Sequence, residues 1–259
     1  MKQAIITGAS KGLGKALALE MASRGYETLL VARSAPLLET LAAEISSRFN
    51  VKVHTLALDL AQTEASQTLY DWCQGASFQP TVLINNAGYA CWGYFHTLPL
   101  SSQLSMLGLN VQGMVSLTHR ILPLLQKQPK AYILNVCSTS AYQPVPTMSL
   151  YAASKAFVRS FTRSLRYELR KGPVSVTCLS PGPMATNFIA QANMQAMQET
   201  AQKFEMKAED VARSGVKAMF AGRAEVIPGW MNALSVGFSK VLPDALLERI
   251  ANNLYESKL

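Results

Sequence analysis

Tyr151 and Lys155 stand four positions apart in the run Tyr151-Ala152-Ala153-Ser154-Lys155. Residues so spaced share one face of a helix, and the pattern through Leu169 is helical. A phenol beside an ammonium can do proton chemistry. The cation favours the phenolate and draws a reference pKa of about 10 toward the range of a working general acid or base. Ser138 lies 13 positions upstream, at the end of an apolar run, where its hydroxyl could meet the same substrate oxygen. Taken singly these are weak signals, because a buried tyrosine is ordinarily structural and Ser138 belongs to the hydroxyl-rich stretch Ser138-Thr139-Ser140.

A second constellation opens the chain: Thr7-Gly8-Ala9-Ser10-Lys11-Gly12-Leu13-Gly14. It follows a strand-like segment and begins a helix, the context a phosphate-binding loop requires. Glycines let the main chain turn tightly and approach a pyrophosphate, whose charge the free N–H groups and the helix dipole offset. Gly8, Gly12 and Gly14 give GxxxGxG, a departure from the GxGxxG order of most dinucleotide folds.

Several elements must hold these groups in place. Apolar runs of strand character recur at 3–7, 28–32, 52–58, 81–84, 131–137 and 175–179, separated by helix-length segments. Their near-continuous apolarity suits strands buried on both faces. The expected fold is α/β: a doubly wound parallel sheet of the Rossmann type, about seven strands, with helices on both faces. All 259 residues are expected to form one domain. Segment 183–207 is placed to cover the strand ends, a helix is expected at 208–220 and a short strand at 225–227, and 228–259 is an apolar extension.

These residues together resemble the short-chain dehydrogenase/reductase family, whose main class carries TGxxxGxG and YxxxK. Asp59-Leu60, Asn85-Asn86-Ala87-Gly88, Asn110, Ser138 and Pro181-Gly182 match in family order, and the likeness reaches about Thr186. It implies catalytic roles for Asn110, Ser138, Tyr151 and Lys155. It also implies cofactor contacts from Gly8, Ser10, Lys11, Gly12, Leu13, Gly14, Asp59, Leu60, Asn86, Ala87, Gly88, Tyr151, Lys155, Pro181, Gly182, Met184 and Thr186. Read without the family, Asp59 is a candidate helix cap, and Asn85 and Asn86 are candidate ties between strands.

The cofactor is read at the end of the second strand. Val31-Ala32-Arg33-Ser34 has no acid to hold a ribose 2′-hydroxyl, whereas Arg33, helped by Lys11, suits the 2′-phosphate of NADP(H). Trp92, Tyr94, Phe95, Tyr142, Val145, Met184, Phe188, Ile189, Met194 and Met197 are candidates for an apolar substrate wall, so a small hydrophobic carbonyl or alcohol is the expected substrate. The competing reading is a non-catalytic NADP sensor or partner-binding module of the same fold. Loss of the tyrosine or the lysine would mark it, and both are present.

Composition narrows the remaining classes. Hydrophobic residues make up 49% and charged residues 15%, enough to bury a large sheet. The net charge of +8 is scattered apart from the series Arg159, Arg163, Arg166, Arg170 and Lys171, read as a solvated helix face, and no nucleic-acid-binding signature accompanies it. His54, His96 and His119 lack metal spacing, and no metal site is expected. Cys73, Cys91, Cys137 and Cys178 lack any CxxC pair and point to a reducing compartment. With no span of about 18 apolar residues, the cytosol is the expected location. Leu246, Leu247, Ile250 and Leu254 recur at helical spacing, so one apolar face must be buried. Its partner is the core, a second subunit of a homodimer or homotetramer, or, third in order, a membrane surface.

Overall fold

The structure, a computed structural model, describes residues 2–184, 205–239 and 241–256. Seven strands form one parallel sheet: β1 (Gln3–Thr7), β2 (Glu27–Ala32), β3 (Val53–Ala57), β4 (Val82–Asn85), β5 (Ala131–Val136), β6 (Val174–Leu179) and β7 (Glu225–Val226). Their order is β3-β2-β1-β4-β5-β6-β7. The order reverses between β1 and β4, and the crevice at such a switch point is where ligands bind in open α/β sheets.

Side chains alternate across the sheet because a strand repeats every two residues. Ala4 and Ile6 of β1 and Leu30 of β2 pack on one face with α1 (Gly12–Ser23), α2 (Ala35–Phe49) and α7 (Ala208–Phe220). Ile5 of β1 and Leu29 and Val31 of β2 pack on the other with α3 (Ala65–Gly75), α5 (Met114–Gln126) and α6 (Ser149–Glu168). Ile5, Ile6, Leu29 and Leu30 are all fully buried, each worth about 1.5–3 kcal/mol of apolar transfer. The doubly wound expectation therefore holds, with strand limits within a residue or two of those read from the sequence.

Two local features shape the site. Between α4 (Leu100–Leu107) and α5 the helical path widens into a π-helical segment, Gly108–Gly113, a device often found at functional sites. After β5 the chain makes a 3-10 turn, Thr139–Tyr142, with Ser138 as its N-cap.

The C-terminal region exposes several large apolar side chains. Helix α8 (Trp230–Ser239) exposes Trp230, Met231, Leu234 and Phe238, and α9 (Asp244–Glu256) buries Leu247 and Ala251 while exposing Leu246 and Ile250. Within one chain the 247/251 line of the expected apolar face meets the body, and Leu246 and Ile250 are left to the other partners that the periodicity allows, a second subunit or a membrane surface. The side chain of Leu254 lies outside the described residues. No helix among the described residues is long and apolar enough to cross a membrane.

Candidate active site

The glycine loop packs main chain against main chain. Gly8 has φ +64° and Gly12 φ +55°, conformations that glycine adopts without strain. A β-carbon on Gly14 would overlap the Gly8 carbonyl oxygen, and one on Gly8 would lie 2.9 Å from the Ala87 Cα. Asn86 locks this approach: its Nδ2 donates to the Thr7 carbonyl at 2.9 Å, while Asn86 N–H and Ala87 N–H donate to Thr7 Oγ1 at 2.9 and 3.1 Å. At the N-terminus of α1 no side chain among the described residues caps the free N–H groups, and no acid occupies the first turn. That end is left open to an anion. Lys11 and Arg33 are exposed and have no ion-pair partner among the described residues.

Around Tyr151 the side chains are tied instead. Tyr151 and Lys155 are both 6% exposed, and Lys155 Nζ lies 5.8 Å from the Tyr151 ring centroid and donates to the Val136 carbonyl at 3.1 Å. Burial pushes the Lys155 ammonium below the ordinary lysine range, opposed by the neighbouring Cys137 and Cys178. The π-helical segment delivers Asn110 to the same place. Asn110 Oδ1 accepts from Tyr89 N–H at 3.1 Å, and its Nδ2 donates to the Tyr89 carbonyl at 2.9 Å and to Ser154 Oγ at 3.3 Å. A β-carbon on Gly88 would sit 2.8 Å from Asn110 Oδ1 and 3.6 Å from Lys155 Nζ. Gly88, Asn110 and Lys155 therefore converge. Ser138 Oγ accepts from Ser140 N–H at 3.1 Å and lies 3.2 Å from Ser140 Oγ, which sets its direction at the mouth of the turn.

A sequence model of the family described as short chain dehydrogenase matches residues 2–197. The chain belongs to that family. Among curated relatives, sulfoacetaldehyde reductase 2 of Chromohalobacter salexigens is 37% identical over 71% of this chain and 73% of its own length. The very-long-chain 3-oxoacyl-CoA reductase of Mus musculus is 29% identical over 96% and 83%. Two solved short-chain dehydrogenases share the fold. One, from Sphingobium yanoikuyae in complex with NADPH, is 24% identical over 93% and 94% of the two chains, with a TM-score of 0.82. The other, from Burkholderia phymatum in complex with NAD, is 25% identical over 91% of each, with a TM-score of 0.83.

In this short-chain dehydrogenase Gly8, Gly14, Asn86 and Ala87 come together beside the β1–β4 switch, and Gly88, Asn110 and Lys155 beside Tyr151. Asp59 does not cap α3, whose N-cap position is Glu64; its Oδ1 accepts from Ala61 N–H at 3.1 Å, folding back on its own turn. Asn85 does tie elements together, donating to Thr118 Oγ1 at 2.9 Å and Asn135 Oδ1 at 2.8 Å. Asn135 continues to Thr162 Oγ1 at 3.0 Å. Gly182 packs on Asn232 of α8, and Met184 forms a β-bridge with Met206.

Of the candidate substrate wall, Trp92 and Val145 are buried in one cluster with Tyr151 and Met148, whereas Tyr94 and Phe95 are exposed. The hydroxyl of Tyr142 is bound to Glu225. Thr186, Phe188, Ile189, Met194 and Met197 lie outside the described residues. The basic series on α6 is also not uniformly solvated. Arg159 pairs with Glu225, and Arg166 donates to the Val176 and Gly222 carbonyls at 2.8 and 2.6 Å, because helix C-terminal guanidinium groups reach the open carbonyls of β6 and its neighbour. Sequence reasoning missed Glu225 altogether. The i, i+4, i+8 spacing of Tyr151, Lys155 and Arg159 was its one available signal.

Proposed function

We propose that this chain is an NADP(H)-dependent oxidoreductase acting between the nicotinamide and a carbonyl or secondary alcohol of a hydrophobic substrate. The observation that carries the proposal is the convergence of Lys155, Asn110 and Gly88 beside Tyr151, next to a glycine loop packed so closely on Asn86 and Ala87 that neither Gly8 nor Gly14 admits a β-carbon. The residues present fit the cofactor. Gly8, Ser10, Lys11, Gly12, Leu13 and Gly14 would hold the diphosphate with the open end of α1, and Arg33 with Lys11 the 2′-phosphate. Asp59, Leu60 and Asn86 to Gly88 would line the adenosine side, and Pro181, Gly182 and Met184 the nicotinamide side. NADPH, when bound, supplies the hydride, and NADP+ accepts it in the reverse direction.

The chain's own residues would manage the proton. In the direction of reduction, the Tyr151 hydroxyl passes its proton to the substrate oxygen while the Ser138 hydroxyl donates a hydrogen bond to the same atom. The Lys155 ammonium offsets the negative charge left on the Tyr151 oxygen and would also hold the cofactor ribose, and Asn110 would complete the relay that restores the proton. A hydrophobic substrate is supported by the apolar cluster of Trp92, Val145 and Met148 around Tyr151 and by the long-chain acyl substrate in the name of the mouse relative.

NADPH oxidation with a panel of ketones, from small aromatic to long-chain, tests the reading. Tyr151→Phe should lower kcat by at least ~100-fold, the scale of general acid catalysis, while NADPH still binds. A phenylalanine variant that keeps most of its activity would overturn the mechanism, and a wild type inert toward the whole panel would favour the sensor reading.

A further inference from the structure

Tyr142, Glu225 and Arg159 come from three separate elements and meet at one carboxylate oxygen. The Tyr142 hydroxyl donates to Glu225 Oε1 at 2.5 Å and lies 3.3 Å from Ser180 Oγ. Arg159 Nε donates to the same Oε1 at 3.0 Å, and its guanidinium stands 4.5 Å from the Tyr142 ring centroid. The group is largely withdrawn from water: the Glu225 side chain is 15% exposed and that of Arg159 32%. Burial together with the bond to Glu225 pushes the Tyr142 phenol well above its ordinary range, so its hydroxyl stays a donor at any working pH.

The place of each member gives the group its meaning. Tyr142 closes the turn that Ser138 opens. The opening of that turn is already fixed to β6, through Cys137 N–H on the Leu179 carbonyl at 2.7 Å and Thr139 N–H on the Pro181 carbonyl at 2.9 Å. Its far end has Tyr142 as its side-chain anchor. Arg159 lies one helical turn beyond Lys155 and two beyond Tyr151, on the same stripe of α6. The carboxylate of β7 thus ties the serine-bearing turn to the helix that bears the tyrosine and lysine. A partly buried ion pair of this kind is a poor source of net stability, whereas groups that must act on one atom need their separation held to within about 0.5 Å.

We propose that Tyr142, Glu225 and Arg159 are positioning residues, a clamp that sets the place of Ser138 relative to Tyr151. The proposal rests on the role given to Ser138 above. The test compares kcat, KM and melting temperature for wild type, Glu225→Gln, Tyr142→Phe, Ser138→Ala and the pairs Ser138→Ala/Glu225→Gln and Ser138→Ala/Tyr142→Phe, with NADPH and one ketone that the wild type reduces. Glutamine keeps the shape of Glu225 without its charge, and phenylalanine keeps the ring beneath Arg159.

Each clamp variant alone should lower kcat by about tenfold or more, as small misplacements of reacting groups do, with KM for NADPH near wild type. In the Ser138→Ala background neither should lower it further, because the group being positioned is gone. Equal losses in both backgrounds, or no loss in the wild-type background, would overturn the clamp while leaving the role of Ser138 intact. An unimpaired Ser138→Ala would overturn both. If Glu225→Gln does not fold, Tyr142→Phe carries the same comparison.

Discussion

Lys11 and Arg33, at the glycine-loop end of the site, stand in solvent with no ion pair among the described residues, whereas Lys155, at the tyrosine end, is buried and hydrogen-bonded to the Val136 carbonyl. The contrast extends to their surroundings. Around the loop the main chain is fixed, by Asn86 and Thr7 and by approaches that admit no β-carbon, and the charged side chains are uncommitted. Around Tyr151 the side chains are fixed: Asn110 by Tyr89 and Ser154, Ser138 by Ser140, Tyr142 by Glu225. Uncommitted donors suit a ligand that arrives with its own charge, while proton transfer depends on reacting groups that are already oriented.

The largest expected effect breaks the committed end. Lys155→Met removes an ammonium that burial already disfavours, so the melting temperature should hold or rise, while kcat falls by at least ~100-fold and KM for NADPH rises. The pH dependence gives a second check. Between the depressed Lys155 pKa and its ordinary 10.5, the folded chain holds fewer protons on this residue than the unfolded chain, so wild-type stability gains from Lys155 as pH climbs through that window. The methionine variant should lack that gain in denaturant titrations across the same range. A large loss of stability would mean that Lys155 is chiefly structural.

Next in size is the main-chain approach at the loop end. A β-carbon in Gly14→Ala meets the Gly8 carbonyl and would lie 2.6 Å from Asn86 Nδ2. If the loop shifts to relieve the overlap, returning it to its binding position against an overpacking cost of about 1–3 kcal/mol should appear as a roughly 5- to 150-fold loss of NADPH affinity by fluorescence titration. Unchanged affinity would show that the loop has slack.

The smallest effect concerns the uncommitted charges. If Arg33 and Lys11 hold a 2′-phosphate, wild type should prefer NADPH over NADH by about tenfold or more, since each charge-assisted contact is worth about 1.5–3 kcal/mol. Ala32→Asp with Arg33→Leu should invert the preference by repelling phosphate and accepting two hydroxyls. Ratios of kcat/KM for the two cofactors at moderate salt decide it. A wild type that favours NADH, or a double variant that keeps its preference, removes Arg33 from the assignment.

What the sequence disclosed and what it withheld follow the range of the interactions. The glycine loop and the Tyr151–Lys155 pair were legible because each lies within one turn or one helix, where spacing fixes geometry. The strands were legible because two-sided burial leaves continuous apolar runs. Glu225 was not, since its partner Arg159 is 66 residues away and nothing local marks a glutamate as an acceptor. The carboxylate partner of Tyr142 was hidden for the same reason, lying 83 residues away. For α9 the periodicity showed that an apolar stripe exists, and only tertiary packing revealed how much of it the body covers.

The crossing at β1 and β4 also bears on how the molecule comes into being. Thr7 Oγ1 donates to the Ile84 carbonyl across 77 residues of sequence, and the same hydroxyl receives the amides of Asn86 and Ala87. Closing so long a loop carries a large entropic cost before any contact offsets it, which makes such parallel pairings slow steps in folding. On the ribosome β1, β2 and β3 emerge first, and β1 keeps an open edge until β4 arrives to occupy it. The pairing that completes the cradle therefore also covers the edge of β1, and the open edge passes to β4 until β5 joins it.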